Sequence, residues 1–212
     1  NMHEMGRLSR IVNPLMTPVT HELMPSSAAP GQMSVRAIHE ARHLLGLLPR
    51  RRLFLLGSPI AQSQSPLIHN TGFQVLGLPH VYERFETSTV DERLVQLLHA
   101  PDFGGASVTI PLKLSIMQLL DSISPEAQVI GAVNTIVPRR DSDTGRVALH
   151  GENTDWHAIY DRARAAHVRS DGLVALVIGA GGSARAALYA MHRLGASCIL
   201  LYNLSLIHIS EP

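Results

Sequence analysis

Leu173-Val174-Ala175-Leu176-Val177-Ile178-Gly179-Ala180-Gly181-Gly182-Ser183-Ala184-Arg185-Ala186-Ala187-Leu188 runs without a break from an apolar stretch through a glycine-rich turn into strong helix formers. Six consecutive apolar residues ending at a glycine read as a strand. The turn matches G-x-G-x-x-A in the strand-to-helix context that gives the pattern its meaning. Gly179 permits the sharp turn, Gly181 lets a pyrophosphate approach the backbone, and Ala184 keeps helix and strand close together. Free N–H groups at the helix start then hold the phosphates. Gly179, Ala180, Gly181, Gly182, Ser183 and Ala184 are therefore expected to bind a dinucleotide. Residues 170–203 are expected to open a Rossmann-type nucleotide-binding domain, with a strand at 174–178, a helix at 183–194 and a strand at 198–202.

Upstream of this turn, apolar runs and helical patterns alternate. Strands are expected at 53–56, 81–86, 106–110, 132–137 and 147–150, and helices at 66–76, 90–99, 112–120 and 155–166, with a short one near Pro125. Residues 139–145 are polar and read as a hairpin-like turn. Strands separated by helices imply parallel pairing with right-handed crossovers, so the fold class is α/β with a mainly parallel sheet. A helix capped by Ser34, with apolar Val35, Ile38, Ala41, Leu44, Leu45 and Leu48, precedes the basic Pro49-Arg50-Arg51-Arg52 linker.

Composition excludes several classes of function. The chain has 212 residues, 45% of them hydrophobic and 17% charged, enough to bury a real core. The net charge is +1 and the basic residues are dispersed apart from Arg50-Arg51-Arg52 and Arg139-Arg140, which read as solvated turns. No electrostatic footprint for nucleic acid stands out. No apolar run approaches the ~20 residues of a membrane span and no secretory signal opens the chain. One cysteine, Cys198, allows no internal disulfide, which fits a reducing compartment and a cytoplasmic location. It reads as a small buried hydrophobe. No metal-binding pattern is expected.

The basic residues divide into 17 Arg and a single Lys, Lys113, which follows Ser107-Val108-Thr109-Ile110-Pro111-Leu112. A guanidinium stays protonated at any working pH, whereas a lysine can release and retake a proton. Three more polar loops end expected strands: Gly57 to Asn70 with Ser63 and Ser65, Gly131 to Thr135 with Asn134, and Gly151 to Trp156 with Asp155. In open parallel sheets ligands bind at the carboxyl ends of strands, so these loops are expected to converge on one cleft. Hydroxyls of Ser63 and Ser65 suit a carboxylate, the Asn134 amide suits ring hydroxyls, and a Lys113–Asp155 pair can move a proton. The alternatives are plain: Ser63 and Ser65 capping the helix at Pro66, His69 and Trp156 packing, and Asn134 and Asn153 bracing loops.

Together the four loops and the glycine turn resemble shikimate dehydrogenase, in the form fused into the fungal pentafunctional arom polypeptide, over residues 53–203. The resemblance implies a substrate-binding α/β domain at 53–160 followed by the Rossmann-type domain, cut short, at 170–203. It implies NADPH-dependent reduction of 3-dehydroshikimate to shikimate, on the route to chorismate and aromatic amino acids. Carried over by position, Ser63 and Ser65 hold the substrate carboxylate, Thr109, Asn134 and Asp155 contact its hydroxyls, and Lys113 with Asp155 is the catalytic pair. NADP is the cofactor implied, with NAD open because the residues that choose between them follow Asn203. With the rest of the nucleotide domain missing, these 212 residues are expected to turn over little.

Residues 1–50 are similar to the end of a type I 3-dehydroquinase, a (β/α)8 barrel, through Met5-Gly6-Arg7-Leu8-Ser9-Arg10, Thr17-Pro18-Val19-Thr20 and Ala28-Ala29-Pro30-Gly31-Gln32. His3 stands where that family has glycine. The resemblance implies substrate binding by the counterparts of Arg10 and Gln32. However, that chemistry needs a Schiff-base lysine, and Lys113 is the only one; about 50 residues also cannot close a barrel of ~250. Dehydroquinase activity is excluded, and the segment is expected to be loosely held. Residues 204–212 read as a translated sequencing adapter. Two other functions share these motifs: a quinate-sensing repressor, nuclear and inactive, and a catabolic quinate or shikimate dehydrogenase using NAD. The arom resemblance further implies a homo-oligomer, with a small-molecule substrate and no membrane or direct nucleic-acid partner.

Overall fold

Ser34, Asp91 and Ser124 each turn a side-chain oxygen onto a backbone N–H three residues ahead, on Ala37, Leu94 and Ala127. These caps start helices α2 (Val35–Leu44), α4 (Glu92–Leu98) and α5 (Pro125–Ile130), which follow the short α1 (Arg7–Val12) and the uncapped α3 (Ser65–Leu76). The strands are β1 (Arg52–Gly57), β2 (Val81–Glu86), β3 (Phe103–Val108), β4 (Ser122–Ile123), β5 (Thr135–Arg140) and β6 (Val147–Glu152). After α6 (Asp155–Ala165) come β7 (Val174–Ile178), α7 (Gly182–Arg193) and β8 (Cys198–Tyr202). The computed structural model describes residues 6–13, 15, 20–27, 29–141, 144–166 and 171–203. The readings placed on His3, Met5, Thr17, Pro18, Val19, Ala28 and 204–212 lie outside the described residues.

Six strands pair in the order β2-β1-β3-β5-β6-β4, and β7 pairs with β8. The α/β class expected from the sequence is found. β4–β6 and β7–β8 are parallel, whereas β5 runs antiparallel to both β3 and β6. For β5 and β6 the reason is the polar connection after Arg140: Asp141 accepts from Thr144 N–H at 2.7 Å, closing a short turn that only antiparallel strands can share.

Three sequence-predicted elements move. The strand expected at 106–110 is β3, ending at Val108, because Pro111 has no N–H to continue a ladder and Leu112 N–H turns back to Thr109 C=O. The helix expected at 112–120 is that turn followed by a 3-10 helix, Ser115–Leu119. The strand expected at 132–137 starts only at Thr135, since Ala132 N–H bonds Ala127 C=O and Val133 N–H bonds Lys113 C=O, so both residues are buried outside any ladder. Arg52, Arg139 and Arg140 sit on strands rather than turns, Arg52 paired with Glu83 at 2.7 Å.

Two units divide the chain. In the first (Asn1–Phe54, Ala61–Arg84 and Ala100–Gly104), Phe54 stacks on Phe103, and Asn70 makes two hydrogen bonds to the Tyr82 backbone. His69 stacks on Tyr82 with ring centroids 4.4 Å apart, a packing role. In the second (Leu55–Ile60, Phe85–His99 and Gly105–Pro212), Leu56, Leu112, Ile116, Ile136 and Leu149 are fully buried. Trp156 joins Ile130, Ala132, Ala186 and Ala190 in a cluster that packs α6 against α7. Burying an indole against small alanines lets two helices approach closely. On β7, Ala175 and Val177 are buried, while the opposite face of the β7–β8 pair, with Leu176, Ile178, Leu200 and Cys198, is exposed. Cys198 is therefore not the buried hydrophobe expected: its place in the period-2 alternation puts it on the open face.

Candidate active site

Lys113 is held from both sides. Leu112 and Ile116 are fully buried and anchor the turn that carries it, and Lys113 C=O accepts from Val133 N–H at 2.8 Å. Its Nζ lies 2.6 Å from Asp155 Oδ2, a short charge-assisted bond, with the lysine side chain only 13% exposed. Asp155 opens α6, where a carboxylate is favoured by the helix dipole, and its N–H is held by Asn153 Oδ1 at 3.1 Å. Asn153 in turn donates to Ala132 C=O, so it braces the loop.

The other carboxylate oxygen is fixed by Asn134, whose Nδ2 donates to Asp155 Oδ1 at 2.7 Å and to Thr154 Oγ1 at 2.9 Å. Asn134 Oδ1 accepts from Thr154 N–H at 2.9 Å and from Thr135 Oγ1 at 2.9 Å. Thr135 and Thr154 were not assigned roles from the sequence; being neighbours in sequence of Asn134 and Asp155 was their only signal.

Ser183, expected only to touch a cofactor, lies 3.3 Å from Lys113 Nζ. A Cβ on Gly182 would meet Lys113 Cδ at 3.0 Å. The glycine turn otherwise has the shape expected. Gly179 sits at φ +107, its N–H bonded to Tyr202 C=O, and no side chain caps α7 at Gly181. Cβ atoms built on Gly179 and Gly181 meet nothing within 4 Å, so the backbone is open to a ligand. Ala180 and Ala184 line a cavity of about 540 Å³ with Ile130, Arg185, Leu188 and Leu201.

Thr109 shares the loop of Lys113. Its methyl lies where a Cβ on Gly57 would be, at 2.5 Å, and Gly57 has φ +148. Ser63 and Ser65 belong to the first unit, where their hydroxyls bond each other at 3.2 Å and Ser63 Oγ accepts from Ser65 N–H at 3.3 Å.

Beneath the site, His150 is buried on β6, hydrogen bonded through Nδ1 to Ser122 Oγ and through Nε2 to Glu152 Oε1. Burial pushes the Glu152 carboxyl upward, but the Ser124 hydroxyl, the His150 ring and the Arg139 charge outweigh it and hold the carboxyl below its usual range. Glu152 C=O accepts from Asn134 N–H, which ties this network to the site.

Residues 55–136 match the shikimate dehydrogenase substrate binding domain, and residues 1–49 match type I 3-dehydroquinase. The chain is 72% identical to a pentafunctional AROM polypeptide of Malassezia globosa over 96% of its own length and 13% of that protein. It thus spans about an eighth of that relative. A solved structure of dehydroquinate dehydratase and shikimate dehydrogenase from S. pombe AroM superposes with a TM-score of 0.76 at 52% identity, over 97% of this chain and 39% of that one. Shikimate 5-dehydrogenase of Thermus thermophilus, solved with NADP(H) and shikimate, gives a TM-score of 0.60 at 34% identity over 73% of this chain and 56% of that one. The repressor reading finds no support among these relatives. Residues 55–136 thus form a shikimate dehydrogenase substrate-binding domain, preceded at residues 1–49 by the C-terminal fragment of a type I 3-dehydroquinase, the order found in the fungal AROM polypeptides that this chain resembles.

Proposed function

We propose that this segment is the shikimate dehydrogenase of an AROM-type polypeptide, reducing 3-dehydroshikimate to shikimate with NADPH. The observation that carries the reading is the Lys113–Asp155 pair, braced by Asn134 and set beside the glycine turn. An open, uncapped helix start fits a pyrophosphate, with Gly179 to Ala184 holding it. A nicotinamide dinucleotide bound there supplies the hydride. Reduction of the ketone leaves negative charge on its oxygen, and a Lys113 N–H stabilises that charge and delivers the proton. Asp155 holds the ammonium in place before the transfer, and the neutral amine left afterwards takes a proton back from solvent. Thr109 and Asn134 are assigned to substrate hydroxyls, and Ser63 and Ser65 to the carboxylate, as carried over from the family. Residues 53–160 are read as the substrate-binding domain and 170–203 as the opening of the nucleotide-binding one.

The test is oxidation of shikimate by the full-length protein with NADP+ or NAD+, alongside Lys113→Ala. Loss of a positioned acid costs about 10²–10⁴-fold in kcat, with substrate binding retained. Tight binding of shikimate or quinate by the wild type without hydride transfer would sink the enzyme reading.

A further inference from the structure

Lys113 presents three N–H donors, and the direction of each matters because only one can point at a substrate oxygen. Asp155 Oδ2 takes one at 2.6 Å. The second acceptor comes from a part of the sequence 70 residues away, Ser183 Oγ at 3.3 Å, in the first turn of α7. The stem is guided as well. Gly182 faces it so closely that an added Cβ would stand 3.0 Å from Lys113 Cδ and 3.3 Å from its Cβ. A lysine side chain has four rotatable bonds and loses substantial rotamer freedom when held. Here the stem passes over a glycine and the head is shared between two acceptors, which among the described residues leaves a single N–H direction free.

We propose that Gly182 and Ser183 position Lys113, so that the turn expected to hold the dinucleotide also aims the proton donor. The proposal rests on the dehydrogenase reading for its consequence in turnover, but the contact stands or falls independently. The Ser183 hydroxyl accepts from the ammonium and keeps its own proton to donate. A ligand docking on the α7 N-terminus that engages this hydroxyl is thereby felt at Lys113. Placing the lysine and the hydride donor under one structural element aligns the two halves of a reduction, which need their reacting atoms in register.

The sequence offers an unusually direct probe. Because Lys113 is the only lysine, protein made with [ε-13C]lysine gives one ε-methylene correlation by NMR. Ser183→Ala is expected to move that correlation and bring its two inequivalent protons together, as the head loses its second anchor. Ser183→Cys, nearly isosteric but a weak acceptor, is expected to follow Ala, and Ser183→Thr to stay with the wild type. Emission of Trp156, the only tryptophan, verifies that each variant is folded around the α6–α7 cluster. In the full-length protein, Ser183→Ala is expected to lower kcat about tenfold while changing the dinucleotide KM less than about twofold, with Thr restoring most of kcat. A folded Ala or Cys variant whose lysine correlation superimposes on the wild type's overturns the proposal. So does a rise in dinucleotide KM at unchanged kcat, which would make Ser183 a phosphate ligand only. A wild type without turnover counts against the dehydrogenase reading, while the NMR comparison still decides the contact.

Discussion

Removing the Asn134 side chain should cost more than its size suggests. Asn134 is 8% exposed and its carboxamide makes four well-formed hydrogen bonds of 2.7–2.9 Å: to Asp155 Oδ1, to Thr154 Oγ1, from Thr154 N–H and from Thr135 Oγ1. A neutral bond contributes about 1 kcal/mol net and one to a carboxylate about 1.5–3 kcal/mol. Asn134→Ala leaves Asp155 Oδ1 and the Thr154 N–H without partners. Thr154 is exposed and the Asp155 side chain is 30% exposed, so water can enter the space and recover part of the loss. The expected cost is therefore about 2–4 kcal/mol, below the full sum. For a domain of this size that lowers the melting temperature by about 4–16 °C. Trp156 is the natural reporter, since it sits one residue after Asp155 in the core of the same unit. Thermal unfolding followed by its emission should show the drop, and Thr135→Val, which removes one of several donors to Asn134 Oδ1, should cost only about 1 kcal/mol. A fall for Asn134→Ala of less than about 1 kcal/mol, or one no larger than that of Thr135→Val, would refute the argument that Asn134 braces Asp155.

Gly57→Ala places a Cβ 2.7 Å from Ile110 C=O at a φ that L side chains rarely adopt, so a loss of about 2–4 kcal/mol is expected in urea unfolding; a loss under 1 kcal/mol would show that this turn can shift. The Glu152 carboxyl is held below its usual range, so the native state binds fewer protons there than the unfolded chain. Its contribution is complete above about pH 4.5 and is lost as pH falls through the lower folded value, so Glu152→Gln should flatten the acid limb of stability below 4.5; an unchanged limb would contradict the network. His80 is lowered from 6.5 by burial and by the charges of Arg51, His39 and His43, and its Nδ1 accepts from Arg51 N–H. Stability from neutral His80 is complete above pH 6.5 and declines below it, and an NMR titration of the ring should show a midpoint under 6.5.

Periodicity and punctuation are local properties, and they were readable residue by residue. The apolar run before Gly179 placed β7 at its observed bounds, the strand expected at 81–86 is β2, and Ser34 marked its helix start. Misplaced bounds share one cause. Ala132 and Val133 are apolar and buried, so they looked like strand, but their N–H groups go to Ala127 and to Lys113 across the site, a partnership no window of sequence contains. The same holds for 112–120, where a helical pattern gave way to a turn that fixes Lys113.

By itself the sequence determined which groups were available for chemistry: one lysine, an aspartate at a helix start, and a glycine turn after an apolar strand. Residue type and spacing are enough for that, because chemical capacity belongs to side chains and turn conformation to glycine. Tertiary structure alone decided who faces whom. Bonds from Lys113 to Asp155 and Ser183 join residues 42 and 70 positions apart, and Asn134 reaches Asp155 over 21. Such distances are set by the burial of Leu112 and Ile116 around the lysine turn and by the cluster of Trp156 with Ile130, Ala132, Ala186 and Ala190, because close packing leaves each loop little room to move.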